Sequence, residues 1–353
     1  MANIQKALVV PAKGTDFVVD AAFPIPVPGN DQLLVKTKAV ALNPVDYFMQ
    51  KTGMFVETYP AVLGLDIAGE VVKVGEGEVA SKFKAGDRVI FPGGLGISEK
   101  NGFQQYAVAD AKFSAIVPPN VSYDEAATIP LGLFTAYYGL YEAVPKGLGL
   151  TSFAGPDGVQ AYTGQAIFIP GGSSSVGTGA IQLAKLSGFK FIITTASLKH
   201  TDFLKSIGAT HVLDRSITVD ELRAALKEIE GLPEIKYAYD AIGDLDTSFR
   251  LALEAVVPKG NVVTVNPRLV YDSPDKDGKV TSKFMTERSS PSGEAHMRNL
   301  WGDLTRLLET GALKGSRPEI LPGGLAGIPA GLDRLAKQEV SGVKLVARPE
   351  ETL

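Results

Sequence analysis

Residues 166–265 constrain the fold more than any other part of the chain. Four apolar runs, Ala166-Ile167-Phe168-Ile169, Phe191-Ile192-Ile193-Thr194-Thr195, Tyr237-Ala238-Tyr239-Asp240 and Asn261-Val262-Val263-Thr264-Val265, alternate with segments of helical character. Among the latter are Ala180-Ile181-Gln182-Leu183-Ala184-Lys185-Leu186 and a stretch with Leu222, Leu226 and Ile229 at spacings of four and three. Strands without polar alternation are buried on both faces, and helices between them cover those faces. The pattern predicts a parallel sheet wound in βαβ units.

The first run leads directly into Pro170-Gly171-Gly172-Ser173-Ser174-Ser175-Val176-Gly177 and then a helix. Small residues at such a turn let the backbone approach a pyrophosphate, and the helix start offers free N–H groups at the positive end of its dipole. The strict G-x-G-x-x-G spacing is absent, because serines take several of the glycine places. Without a ligand, the same residues would simply make a tight strand-to-helix turn. An NAD site usually carries an acid about 20 residues further on. Here Thr194-Thr195-Ala196-Ser197-Leu198-Lys199-His200 offers hydroxyls and a cation instead. With Arg215 beyond the next strand candidate, Ser197 and Lys199 suit a 2′-phosphate, so the expected cofactor is NADPH. The bland alternative is that Lys199 is a solvated lysine at a helix start.

The first third reads as β. Leu33-Leu34-Val35-Lys36-Thr37-Lys38-Ala39-Val40, Val71-Val72-Lys73-Val74, Asp87-Arg88-Val89-Ile90 and Tyr106-Ala107-Val108 are short strand candidates with Gly and Pro between them. They suggest a small barrel or sandwich. Residues 272–293 read as a polar excursion, and the last helix is expected over residues 300–308. At 353 residues, two domains are expected. The absence of cysteine removes disulfides, thiolate zinc sites and a cysteine nucleophile together. His200, His211 and His296 are the only histidines and are scattered, so no metal is expected. A net charge of −4 argues against nucleic acid or anionic membrane as a partner. With no signal pattern at the N-terminus and no run of about 18 apolar residues, the expectation is a soluble, cytoplasmic protein.

Several further segments fall in a recognisable order. Asn43-Pro44-Val45-Asp46, Gly64-Leu65-Asp66-Ile67-Ala68-Gly69, Val74-Gly75, Gly86-Asp87-Arg88-Val89, the glycine turn and Ser341-Gly342-Val343-Lys344-Leu345-Val346 resemble the medium-chain dehydrogenase/reductase superfamily over nearly the whole chain. The turn is most similar to the zinc-free quinone oxidoreductases and enoyl reductases, above all the fungal enoyl reductases that act in trans with polyketide synthases, and related toxin-cluster reductases. The resemblance implies an α/β protein with a β-rich GroES-like catalytic domain, residues 1–124 and 291–353, and a doubly wound Rossmann domain, residues 125–290. It implies an active site in the cleft between them, and either a monomer or a homodimer.

The zinc enzymes of this superfamily have a cysteine and a Gly-His-Glu segment where this chain has Asn43-Pro44-Val45-Asp46 and Gly64-Leu65-Asp66. Without a Lewis acid, a ketone is a poor hydride acceptor. A conjugated C=C bond is a better one, because charge develops on a carbonyl oxygen that hydrogen-bond donors can hold. The expected reaction is therefore NADPH-dependent reduction of an enone or enoyl thioester, with the small-molecule substrate free or carrier-bound. The alternatives are an NADPH quinone reductase and an NADPH-binding protein with incidental turnover.

By resemblance, Asn43 and Asp46 sit near the nicotinamide, and Thr135 meets nicotinamide or substrate. Ser173, Ser174, Ser175 and Val176 line the pyrophosphate, and Ser197, Lys199 and Arg215 surround the 2′-phosphate. Val265 and Asn266 border the nicotinamide, and Lys344 returns to the cofactor. The plainer readings are a turn before a helix for Asn43-Pro44 and an N-terminal cap for Asp46. Many fungal relatives carry lysine two places after this aspartate, where the chain has Phe48. Tyr47 is the nearest hydroxyl and the candidate proton donor, with packing or a proton from water as the alternatives.

Overall fold

The computed structural model describes residues 4–154, 160–266, 279–283 and 290–353. The chain divides into two compact units, residues 1–131 with 301–353, and residues 132–300.

The first unit contains β1 (Ile4–Val10), β2 (Val18–Pro24), β3 (Gln32–Ala41), α1 (Pro44–Thr52), β4 (Ala61–Val62), β5 (Asp66–Val74), β6 (Arg88–Pro92), β7 (Tyr106–Asp110), β8 (Ala115–Ile116) and α2 (Tyr123–Ala127). Helix α3 (Pro130–Tyr141) leads out of it. The second holds β9 (Ala166–Pro170), α4 (Ser175–Leu186), β10 (Phe191–Ala196), α5 (Thr201–Ile207), β11 (His211–Asp214), α6 (Val219–Lys227), β12 (Ile235–Asp240), α7 (Ser248–Ala255), β13 (Asn261–Thr264) and β14 (Val280–Lys283). Helix α8 (Pro291–Glu309) returns the chain to the first unit, which ends with β15 (Pro318–Ile320), α9 (Ile328–Ala336) and β16 (Lys344–Ala347).

In the first unit β3 is the organising strand. Leu33, Val35, Thr37 and Ala39 are buried, while Lys36 and Lys38 alternate outward and pair with Glu350 at 2.8 and 3.0 Å. One sheet runs β15-β16-β3-β5-β6-β8, with β7 also on β3, and a smaller one runs β2-β1-β4. Strand β16 pairs antiparallel with β3 at Val346–Ala41 and Ala347–Val40, so the C-terminal segment completes a sheet begun by residue 32.

The second unit is a six-stranded parallel sheet in the order β11-β10-β9-β12-β13-β14. This is the expected doubly wound arrangement, and its strand order reverses at β9, where ligands of such sheets bind at the carboxyl ends. Ile167, Phe168 and Ile169 of β9 are wholly buried, as a strand covered on both faces requires.

Helix α8 starts nine residues before the expected 300. Ser290 Oγ accepts the Gly293 N–H at 3.1 Å, and Pro291 occupies the first helical position. This is an N-terminal signal that the polar composition obscured. Most of the expected polar excursion, residues 272–278 and 284–289, lies outside the described residues. No helix among the described residues is long and apolar enough to cross a membrane.

Candidate functional site

At the start of α1 the first unit buries a polar cluster. Helix α1 begins after Asn43, with Pro44 in its first turn. The Asp46 carboxylate accepts the Asn43 N–H at 2.8 Å, which is the capping role. That leaves the Asn43 side chain for other partners. Its Oδ1 accepts from Lys344 Nζ at 2.6 Å and its Nδ2 donates to Asp66 Oδ2 at 2.9 Å. Lys344 Nζ lies 3.0 Å from the same Asp66 oxygen, and the Leu131 N–H donates to Asp66 Oδ1. The lysine side chain is 5% exposed and the aspartate not at all. Burial, reinforced by nearby Asp66, pushes Asp46 up to about 7.

Tyr47 is half-buried against the core of this unit, its ring edge-on to Phe48 at 6.0 Å and beneath Lys51 Nζ at 5.9 Å.

The second unit gathers its predicted residues along the carboxyl edge of the sheet. Gly171 turns the chain with φ 84°, and the Gly171 and Gly172 N–H groups both donate to Thr195 O. Ser174 caps α4. Its Oγ accepts the Gly177 N–H at 3.0 Å and lies 3.3 Å from Ala241 O, to which it donates. A hydroxyl committed in this way holds the turn, so the N–H groups around it face a ligand more freely than it does. Among the described residues, those of Ser173, Ser175 and Val176 have no protein acceptor. Such N–H groups, at the start of a twelve-residue helix, are chemically able to receive an anion. A β-carbon on Gly177 would stand 2.2 Å from Gly171 O, so the approach of helix to strand requires glycine there.

Strands β10 and β11 pair through Ala196 and Asp214, and the Arg215 N–H donates to Ala196 O at 3.0 Å. Ser197, Lys199 and Arg215 are thereby brought to one end of two adjacent strands, with Lys199 and Arg215 exposed. Asp214 next to them is occupied by the Ser216 hydroxyl and N–H, which hold its carboxyl below the usual range. Val265 follows β13, its N–H donating to Asp240 O, and Asn266 Nδ2 donates to Gly243 O at 2.7 Å. Thr135 is buried in α3, where its carbonyl accepts from Tyr239 Oη at 2.8 Å.

Two residues of this edge escape sequence reasoning. Leu198 and Ile242 are each 52% exposed at the ends of β10 and β12, on either side of the glycine turn that follows β9. An apolar residue two places after a strand end was the only available signal, and it is a weak one. Asp66, in the first unit, also escapes it, being seen in the sequence only as part of a motif.

Residues 29–120 match the alcohol dehydrogenase GroES-like domain and residues 175–282 the zinc-binding dehydrogenase domain. The trans-enoyl reductase tndF of Aspergillus flavipes is 33% identical over 369 residues, covering 98% of this chain and 99% of that protein. The chain belongs to the medium-chain dehydrogenase/reductase superfamily. As a member it is an oxidoreductase, and its cofactor class is a nicotinamide nucleotide. The dehydrogenase pigH of Monascus ruber is 42% identical over 226 residues, 61% of this chain and 59% of that one. The crystal structure of an alcohol dehydrogenase superfamily protein from Novosphingobium aromaticivorans aligns with a TM-score of 0.78 at 25% identity, covering 97% of this chain and 99% of the other.

The zinc in the second domain's name does not fit the donors present. The chain lacks cysteine, and among the described residues no group of three His, Cys, Asp or Glu side chains could hold a metal ion.

Proposed function

We propose that this superfamily member is a zinc-independent reductase that uses NADPH to saturate a C=C bond conjugated to a carbonyl, in an enone or enoyl thioester. The observation that carries the reading is the Asn43–Asp66–Lys344 trio. By the resemblance, Asn43 and Asp66 lie in the two segments where the zinc enzymes carry their ligands, and here both are engaged in hydrogen bonds internal to the protein. A carbonyl acceptor would lack Lewis-acid support there, whereas conjugate addition needs only donors near an oxygen that gains charge. The full-length similarity to a trans-enoyl reductase supports the same class.

When bound, NADPH supplies the hydride that adds to the β-carbon. The chain's own residues bind and orient. Ser173, Ser175 and Val176 N–H groups take the pyrophosphate, with Ser174 holding the turn. Ser197, Lys199 and Arg215 take the 2′-phosphate. Leu198 and Ile242 offer apolar surface to the base. In the second unit Thr135, Val265 and Asn266 are assigned to the nicotinamide, and in the first unit Asn43 and Lys344 are assigned to the cofactor. Asp46, with no exposed surface, contributes by fixing Asn43. Tyr47 is the proposed proton source at the α-carbon.

Lys199→Ala is expected to weaken NADPH binding by about 1–3 kcal/mol, the loss of a charge-assisted contact, and to leave NADH binding nearly unchanged. Titration with both nucleotides checks this, and equal losses would remove the 2′-phosphate assignment. The reaction itself is tested by anaerobic NADPH oxidation against one enone, one enoyl thioester and one quinone, with products weighed by mass spectrometry. An alkene that gains two hydrogens is the expected product. Quinone consumption alone would replace the reading with a quinone reductase, and nucleotide binding without turnover would favour a binding protein.

A further inference from the structure

Asp240, the last residue of β12, has no exposed surface, and among the described residues no cation pairs with it. A buried carboxylate without a counter-charge is costly unless hydrogen bonds satisfy it. Here donors converge on both oxygens. Oδ1 accepts the Ile242 and Gly243 N–H groups, each at 3.1 Å. Oδ2 accepts the Gly243 N–H at 3.2 Å and the Thr264 hydroxyl at 2.8 Å. Burial pushes the carboxyl up, and the Gly243 N–H and Thr264 hydroxyl oppose that shift.

A turn at a strand end needs only the first oxygen, bonded to the N–H groups two and three residues on. The second oxygen crosses to the neighbouring strand, where Thr264 of β13 pairs with Asp240 in register. Both connections end on Asn266. Thr264 Oγ1 accepts the Asn266 N–H at 3.3 Å, and the Gly243 carbonyl accepts from Asn266 Nδ2 at 2.7 Å. Gly243 has φ 83°, and a β-carbon on it would stand 2.9 Å from Asn266 Cβ. Asn266 is therefore held at its backbone and at its side chain by two residues that Asp240 holds in turn.

We propose that Asp240 is a positioning residue for the nicotinamide half of the nucleotide, acting on Asn266 through Gly243 and Thr264. This rests on the reading above, which assigns Asn266 to the nicotinamide. Asp240 itself, sealed from solvent, touches neither nucleotide nor substrate. Its reach is limited to one side of the sheet edge. Ser197, Lys199 and Arg215 follow β10 and β11, which lie on the other side of β9 from β12 and β13. Loss of the Asp240 connection should therefore be felt by the nicotinamide and not by the 2′-phosphate.

The probes are NADPH and 2′,5′-ADP, which keeps the 2′-phosphate and lacks the nicotinamide, each titrated calorimetrically into the full chain. Asp240→Asn keeps the volume and an oxygen for the Ile242 N–H. Its amide nitrogen, however, meets the Gly243 N–H and competes with the Asn266 N–H for the Thr264 oxygen. Thr264→Val removes that oxygen. Each variant is expected to weaken NADPH binding about fivefold, the usual worth of one hydrogen bond, and to change 2′,5′-ADP binding by less than about twofold. In an Asn266→Ala background neither should weaken NADPH binding further, because the group through which they act is gone. Should one variant fail to fold, the other carries the same test. Equal weakening of both probes, the same loss with and without Asn266, or native NADPH binding by both variants would each overturn the proposal. Native NADPH affinity in Asn266→Ala alone would overturn the nicotinamide assignment and the positioning role with it. Coupling to Asn266 in binding, without reduction of any enone or enoyl thioester, would refute the reductase reading and leave the positioning role standing.

Discussion

Lys344→Met is expected to lower the unfolding free energy by about 3–5 kcal/mol, the usual cost of removing one partner from a buried ion pair. The ammonium is held by Asn43 Oδ1 at 2.6 Å and by Asp66 Oδ2 at 3.0 Å. Asp66 has no exposed surface, so methionine would strand its charge in a site that water does not reach. Urea unfolding of the variant and the native chain checks the magnitude. The double variant Asp66→Asn/Lys344→Met should regain a large part of the loss, because it removes the stranded charge along with its partner. A single variant as stable as the native chain would show that the pair contributes nothing.

That pair also marks the limit of what the amino-acid sequence discloses. Strand β9, the glycine turn and α4 are contiguous, and the properties that define them are local. These are an apolar run for a strand buried on both faces, and small residues where strand and helix meet. The sheet of the second unit was therefore legible, including the carboxyl edge that carries Ser173, Lys199 and Asn266. The first unit is assembled from long-range pairings. Lys344 reaches Asn43 across 301 residues because β16 adds to β3, a register no spacing rule contains. Asp46 could be expected at a helix start, but not its complete burial, which depends on strands that follow it in the chain. The start of α8 was missed for a different reason: its cap, Ser290, and Pro291 sit among polar residues that look like loop until the Gly293 N–H is seen on the serine. Phe55 left no signal in the sequence, since its left-handed backbone angle, φ 64°, has no compositional signature.

Gly177→Ala should abolish measurable nucleotide binding and lower the stability of the chain by about 3 kcal/mol, the upper part of the usual range for overpacking. In most helices glycine to alanine is favourable by up to about 1 kcal/mol, so the expected sign here is opposite to that of intrinsic propensity. The reason is geometric. The added carbon would lie 2.2 Å from Gly171 O and 2.8 Å from Gly172 Cα, both backbone atoms that no rotamer change can move aside. Relief requires the first turn of α4 to move away from the end of β9. That motion breaks the Ser174 Oγ contact with the Gly177 N–H and redirects the N–H groups of Ser175 and Val176 on which the proposed pyrophosphate site depends. Binding and stability should therefore fall together, unlike in Lys199→Ala, where nucleotide choice alone should change. Gly302→Ala is the control, because nothing lies within 4 Å of a β-carbon at that helical position, and it should be neutral or stabilising. Calorimetric titration with NADPH and thermal melts of the three variants separate these outcomes. Native-like binding by Gly177→Ala would mean that the strand-to-helix turn tolerates opening and that the phosphate site lies elsewhere on the sheet edge.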